Sequence, residues 1–287
     1  MNTTCVILNP TARSERARRW QERVRSICGE AVLCATSHPG EAEKLARNAV
    51  REGFERIVAA GGDGTINEVV NGIAGSDAAL GLLPIGTMNV FATELGLPSY
   101  DLNRCWEIIK AEHTRLIDLP SANGKHFVQL AGVGLDAQVV KETSLALKRN
   151  FGPLSYLFSA AQIAGRQPPR LLIESENAVT DEGSFILIGN GRRYGGPFPF
   201  FKHAMIDDGL LDVLVFKRLG YLEIIKYLQN VIFTSDITLP EVEYFQTRRL
   251  RVRSEQEVPV EIDGELVGIC PVEFELSEQR LKVLAPA

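Results

Sequence analysis

The sequence predicts two domains, an α/β domain built on a parallel sheet and a β-sandwich after it. Three observations carry that expectation. The chain has 287 residues, more than the roughly 150 that one average domain uses. As far as Leu95, short apolar runs alternate with stretches of helical periodicity in βαβαβ order. After about Leu116 the pattern changes to closely spaced strand-like runs separated by turn residues. The boundary is placed at residues 118/119, giving domains 1–118 and 119–287, with the last strand a candidate to return to the first domain.

The elements follow in order. Cys5 to Leu8 is a buried strand that stops at Asn9-Pro10. Ala17, Trp20, Val24 and Ile27 recur at spacings of three and four, one face of a helix. Ala31 to Cys34 is a second strand, and Glu41 to Val50 a second helix with Leu45, Ala46, Ala49 and Val50 inward. Ile57 to Ala60 runs directly into Gly61-Gly62-Asp63-Gly64-Thr65, and Ile66, Val69, Val70 and Ile73 mark the helix that follows. Leu80 to Ile85 is a further strand, leading to Gly86-Thr87-Met88-Asn89 and a short helix to Leu95. Such an order builds a parallel sheet covered by helices, and ligands of these sheets bind beyond the carboxyl ends of the strands.

In the second half, Asn123-Gly124 is a hairpin signal. Strands are expected at Phe127–Val133, Arg170–Glu174, Phe185–Ile188, Leu211–Phe216, Leu250–Val252, Val258–Ile262, Val272–Leu276 and Leu281–Leu284, with helical stretches near Leu154–Ala164 and Tyr221–Phe233. The linker at Asp118–Pro120 is short, so the two domains are expected to flank a cleft.

Composition removes several classes of function. A net charge of -5 does not favour nucleic acid, and any contact with an anionic membrane would need a local patch. The five cysteines are widely spaced with no Cys-x-x-Cys pair, which speaks for a reducing compartment and against a disulfide framework or zinc site. The start lacks a charged region followed by an apolar run, so no signal peptide is expected. No apolar run reaches the roughly 18 residues that a membrane span needs.

Chemistry concentrates in the glycine-rich turns. In Gly61-Gly62-Asp63-Gly64-Thr65 the glycines let backbone amides approach phosphate oxygens, and the helix start adds partial positive charge. A carboxylate there would repel phosphate unless a cation lay between, so Asp63 suits a Mg²⁺-facing role; the plainer alternative is a tight turn with Asp63 as helix cap. Gly86 to Asn89 offers a second turn at a strand end. Asn9-Pro10-Thr11-Ala12-Arg13 offers a third, followed by Arg16, Arg18, Arg19, Arg23 and Arg25 on what reads as a solvated helix face. Asp263-Gly264-Glu265 is first a hairpin turn, whose acid could act as a general base if it faced the cleft. Asp207-Asp208-Gly209-Leu210 is a turn with two acids or a site for a hard cation.

Taken together, these residues resemble the diacylglycerol kinase catalytic-domain family, which includes bacterial lipid kinases and is related to sphingosine and ceramide kinases. The resemblance starts from Gly61-Gly62-Asp63-Gly64-Thr65-Ile66-Asn67-Glu68. It continues in order through Asn9-Pro10, Thr36 with Gly40, Pro84 to Asn89, Gly132 to Ala137, Gly189-Asn190-Gly191, Gly195-Gly196, Asp208-Gly209 and Asp263-Gly264-Glu265. It implies a phosphofructokinase-like nucleotide domain, a β-sandwich, and an active site between them. It implies transfer of the γ-phosphoryl group of ATP to a lipid hydroxyl, with diacylglycerol or a sphingosine-like lipid as acceptor. It places ATP contacts at Asn9, Pro10, Thr11, Ala12, Arg13, Thr36, Gly61, Gly62, Asp63, Gly64, Thr65, Ile66, Asn67 and Thr87. A structural Mg²⁺ would be held by Met205, Asp208 and Leu210, and Glu265 would be the proton acceptor beside the catalytic Asp63. The protein is expected in the cytoplasm and peripherally at the membrane that presents the lipid, with a homodimer left open.

The chain departs from the family in places. Val90 stands where many relatives carry Asp, which leaves Asp63 alone or assisted by Asp136; Lys202 replaces a frequent Pro and Gln129 a frequent Asn. An NAD kinase-like enzyme and a non-catalytic nucleotide- or lipid-binding relative are the competing readings. Phe151 to Ala164 is apolar and flanked by Lys148, Arg149, Arg166 and Arg170, which suits an interfacial helix or, equally, a core helix.

Overall fold

The structure is a computed structural model that describes residues 3–10, 15–134, 137, 168–176, 179–194, 198–217 and 240–287. The helical stretches expected near 154–164 and 221–233, the apolar segment 151–164 with its flanking Lys148, Arg149 and Arg166, and Thr11, Ala12, Arg13, Asp136, Gly195 and Gly196 lie outside them.

The chain divides into two compact units, Met1–Leu119 with Glu278–Ala287, and Pro120–Ser277. The first unit contains β1 (Thr4–Leu8), α1 (Glu15–Cys28), β2 (Val32–Ala35), α2 (Glu41–Arg51), β3 (Arg56–Gly61), α3 (Asp63–Ile73), β4 (Ala79–Pro84), α4 (Val90–Glu94), α5 (Leu102–Lys110) and β5 (Thr114–Ile117). β1 and β4 are buried along their whole length, and β3 from Ile57 to Gly61, because helices of a βαβ sheet cover both faces. The sheet order is β2-β1-β3-β4-β20-β5, where β20 (Leu281–Leu284) comes from the far end of the chain. β20 pairs in parallel with β4 and antiparallel with β5. The second unit therefore ends at Ser277 and not at 287: without β20, β4 and β5 would each present an unpaired backbone edge. Arg280 reinforces the return through an ion pair to the buried Asp118 at 3.1 Å.

In the second unit, β6 (Pro120–Ala122), β7 (Lys125–His126), β8 (Leu130–Val133), β9 (Leu171–Ser175), β10 (Val179–Gly183), β11 (Phe185–Gly189), β12 (Arg193–Tyr194), β13 (Phe198–Pro199), β14 (Leu211–Phe216), β15 (Val242–Thr247), β16 (Arg249–Arg253), β17 (Pro259–Ile262), β18 (Glu265–Ile269) and β19 (Val272–Leu276) form two six-stranded sheets and one small hairpin. Their orders are β10-β9-β16-β19-β6-β7 and β15-β14-β11-β8-β17-β18. Alternate residues of both sheets meet in one core: Ile173, Val252, Val272 and Phe274 on one side, Val133, Ile186, Val213 and Val260 on the other. Phe127 and Phe274 meet edge-to-face with centroids 6.3 Å apart. The expected strand Phe127–Val133 is shorter than its apolar run, because the backbone amides from Val128 to Leu130 are taken by a side chain rather than by a neighbouring strand.

Candidate functional site

Parallel register brings four loops of the first unit to one level. Leu8 pairs with Ala35 and with Ala60, and Gly61 pairs with Pro84. The next residues along each strand are Asn9, Thr36, Gly62 and Ile85, so the predicted phosphate loops leave the sheet side by side at its carboxyl edge. Backbone bonds hold them there: Asn9 N donates to Ala60 O at 3.0 Å, Thr36 N to Leu8 O at 2.9 Å, and Ile85 N to Gly61 O at 3.1 Å.

The glycines have specific packing reasons. A Cβ on Gly61 would stand 2.4 Å from Thr65 Cβ, so the glycine admits the Thr65 side chain. Asn9 Nδ2 then donates to Thr65 Oγ1 at 2.8 Å, tying the first strand end to the start of α3. A Cβ on Gly86 would stand 2.5 Å from Gly62 Cα, so the Gly62 and Gly86 loops approach backbone to backbone. Asn89 completes the Gly86 turn with φ 50; its buried amide group donates to Gly86 O at 3.1 Å and its carbonyl accepts from Thr93 N.

Asp63 is the first residue of α3, whose N-cap is Gly62. The first helical bond runs from Ile66 N to Gly62 O at 3.0 Å, so the amides of Asp63, Gly64 and Thr65 precede the helical ladder. Asp63 Oδ1 accepts from Phe91 N at 3.4 Å, at the start of α4. Thr87 is exposed, Gly62, Asp63 and Gly64 are half-buried, and Thr36 and Asn67 are buried. Ile66 is fully buried, so its side chain belongs to the core and not to a ligand surface.

Sequence reasoning left Glu68 without a role, although it closes the octapeptide. Its two carboxylate oxygens accept from Gly40 N at 2.8 Å and Ala42 N at 2.9 Å, across from α3 to the start of α2. Nothing local signals this pairing, which spans 28 positions.

In the second unit the Asp263-Gly264 pair makes a two-residue hairpin turn, with φ 46 and φ 83, between β17 and β18. The turn does more than reverse the chain. Asp263 Oδ2 accepts from Val128 N at 2.9 Å, and its Oδ1 accepts from both Gln129 N and Leu130 N at 3.0 Å. The same segment binds the Gly189-Asn190-Gly191 loop: Asn190 Nδ2 donates to Val128 O at 3.0 Å and Asn190 N to Gln129 O at 2.9 Å. Gln129, the departure from Asn, donates through Nε2 to Arg193 O at 2.9 Å. Glu265 follows the turn and is half-buried. Glu261, which the sequence reading passed over, is buried and accepts from Gly264 N at 2.8 Å. A carboxylate inside the run Val-Glu-Ile was the available signal.

Before β14, Asp208 Oδ1 accepts from Leu210 N at 3.0 Å, which shapes the Asp207–Leu210 turn. Asp212, also missed, is wholly buried; the Tyr244 hydroxyl donates to it at 2.5 Å and Gln246 Nε2 at 3.4 Å. Burial is the largest influence on Asp212 and pushes its carboxyl above the ordinary range. Its two hydrogen bonds and His203 pull it down, and the charge of Asp208 pushes it up. Among the described residues no three His, Cys, Asp or Glu side chains gather around a common point. The expected Mg²⁺ set needs only one carboxylate with two carbonyls, from Asp208, Met205 and Leu210. Those are hard oxygen donors, so the residues present fit a divalent cation.

Residues 3–122 match the description "Diacylglycerol kinase catalytic domain", and residues 129–285 match "YegS C-terminal NAD kinase beta sandwich-like domain". The chain is similar to the diacylglycerol kinase of Bacillus subtilis, 28% identical over 294 residues covering 100% of this chain and 97% of that one. It is 32% identical to the YegS-like lipid kinase of Chromohalobacter salexigens over 91% of this chain and 86% of that one. A solved structure of a diacylglycerol kinase from Bacillus anthracis superposes with TM-score 0.80 and 25% identity, covering 99% of this chain and 96% of that one. With the parallel sheet and the sandwich in place and the similarity running nearly the whole length of the chain, the protein belongs to the diacylglycerol kinase catalytic-domain family of lipid kinases.

Proposed function

We propose that the protein transfers the γ-phosphoryl group of ATP to the hydroxyl of a lipid, diacylglycerol or a sphingosine-like acceptor. The observation that supports this most is the register of Asn9, Thr36, Gly62 and Ile85 at one edge of a parallel sheet, with Gly62 and Gly86 in backbone contact. Amides at the start of α3 suit the phosphates, and Thr36 and Thr87 are placed on the flanking loops. Asp63 would be the carboxylate that holds Mg²⁺, which when bound would supply neutralisation of the charge on the ATP phosphates. Glu265 takes the proton of the lipid hydroxyl as the oxygen attacks. Met205, Asp208 and Leu210 would hold a second, structural Mg²⁺ that orders their loop. No described helix is long and apolar enough to cross a membrane. The lipid is taken from a membrane surface to which the enzyme binds peripherally.

ADP release tests the reading. Turnover of Mg·ATP should depend on added diacylglycerol or sphingosine, and Mg·ATP should slow hydrogen exchange at Gly62–Thr65 and Gly86–Asn89. ADP release at the same rate without lipid, or an unprotected pair of loops, would remove the proposal.

A further inference from the structure

Glu68 closes the octapeptide as the sixth residue of α3, too far along the helix to meet a ligand at its start. Its carboxylate instead spans to Gly40 N at 2.8 Å and Ala42 N at 2.9 Å. Helix α2 needs this, because its first amides lack partners within the helix and its N-cap, Gly40, has no side chain to supply one. Gly40 also has φ 81, which suits glycine and excludes most capping residues. The contact between the two helices is close by independent measure. Gly72 lies one turn beyond Glu68 on the same face of α3, and a Cβ there would stand 2.5 Å from Glu43 O and 2.6 Å from Ala46 Cβ.

The loop before α2 is thereby held at three points. Thr36 N is bonded to Leu8 O at 2.9 Å, Ser37 Oγ donates to Glu41 Oε2 at 2.7 Å, and Gly40 is bonded to Glu68. Glu68 also places a negative charge on the partially positive start of α2. A phosphate is repelled from that helix start while the start of α3 keeps its own. We propose that Glu68 is a positioning residue for the nucleotide: it locks the Thr36–Gly40 loop to the phosphate-binding helix and directs the polyphosphate to α3 instead of α2. This rests on the nucleotide reading of the first unit.

The test is a kinetic cycle between Glu68→Gln and Thr36→Ala. Gln keeps the length and one acceptor oxygen but loses the charge and one amide bond. The KM for Mg·ATP should rise on the order of 10-fold, the scale of a lost cap, with kcat and the lipid KM within about twofold. Because Glu68 acts through the Thr36 loop, the double variant should bind Mg·ATP no more weakly than Glu68→Gln alone. Additive losses, or a fall in kcat at unchanged KM, would reduce Glu68 to a helix cap or make it a catalytic group, and either overturns the proposal. Hydrogen exchange on the wild-type chain keeps the test independent of variant folding: Mg·ATP should slow exchange at Gly40 and Ala42, and unchanged exchange there overturns the proposal. Wild-type protein that binds no Mg·ATP would fail the nucleotide reading first, which separates the two failures.

Discussion

Asp263→Asn separates a hairpin turn from a structural clamp. If Asp263 served the turn alone, asparagine would be neutral or better, since Asn-Gly is a favoured pair for a two-residue turn with both residues at positive φ. The structure predicts a loss. Three backbone amides, of Val128, Gln129 and Leu130, converge on the carboxylate at 2.9, 3.0 and 3.0 Å. Those residues are 2%, 5% and 3% exposed, so water offers little replacement. A hydrogen bond to a charged group contributes about 1.5–3 kcal/mol, and a buried donor without an acceptor costs about 1–3 kcal/mol. Asparagine retains one oxygen for Gln129 and Leu130, loses the charge, and turns an NH₂ toward Val128 N–H. One bond is lost and two are weakened, for a destabilisation of about 2–4 kcal/mol. Urea unfolding followed by far-UV circular dichroism and by hydrogen exchange of the Val128–Leu130 amides measures it, with the slope checked so that the midpoint reports stability. A variant within about 0.5 kcal/mol of wild type would refute the clamp.

Asp63→Asn should leave folding intact and lower phosphoryl transfer by roughly 10²-fold or more, measured at saturating Mg·ATP; turnover near normal would sink its metal-facing role. Glu265→Gln should lower kcat by about 10²–10⁴-fold with little change in ATP affinity; the reverse pattern would make it a nucleotide contact. Gly86→Ala puts a methyl 2.5 Å from Gly62 Cα, so it should weaken Mg·ATP binding, and unchanged titration calorimetry would contradict the close approach of the loops. Burial pushes the thiols of Cys5 and Cys28 up to about 12 and those of Cys105 and Cys270 up to about 11. Thiolate is therefore scarce in these four at pH 8. Half-buried Cys34 should give the single fast phase with a disulfide reagent, and Cys34→Ser should remove it; a fast phase of two or more thiols would count against that packing.

Most buried strands were legible in the sequence, whereas of the edge strands β2 was expected and most others were not. β1, β3, β4, β11, β14, β17 and β19 each carry a continuous or alternating apolar run, and each sits inside a sheet. β5, β10, β15 and β18 escaped, and all four are sheet edges. An edge strand needs little apolar surface, as Val242–Thr247 and Val179–Gly183 show with their acids and hydroxyls. Helix α5 was missed although Asp101 caps it by accepting from Arg104 N at 3.0 Å, a signal that a search for cap residues would have caught. The hairpin turns at Asn123-Gly124 and Asp263-Gly264 were readable because turn chemistry is local; both have positive φ at both residues. The loops at the carboxyl edge of the first sheet could be named from sequence, since each glycine-rich turn follows a strand. Their cross-links could not, because Asn9 with Thr65 and Glu68 with Gly40 pair residues 56 and 28 positions apart. Asp212 and Glu261 stood out only as acids within apolar strands.

The central claim is transfer from ATP to a lipid hydroxyl, and a competition of acceptors addresses it directly. Purified protein is given Mg²⁺ and γ-labelled ATP with diacylglycerol, sphingosine and NAD together in mixed micelles, and the products are resolved by chromatography. The account predicts label in a phosphorylated lipid, lost with Glu265→Gln, and none in NAD. Label in NAD, or no labelled lipid from a protein that binds Mg·ATP, would contradict it.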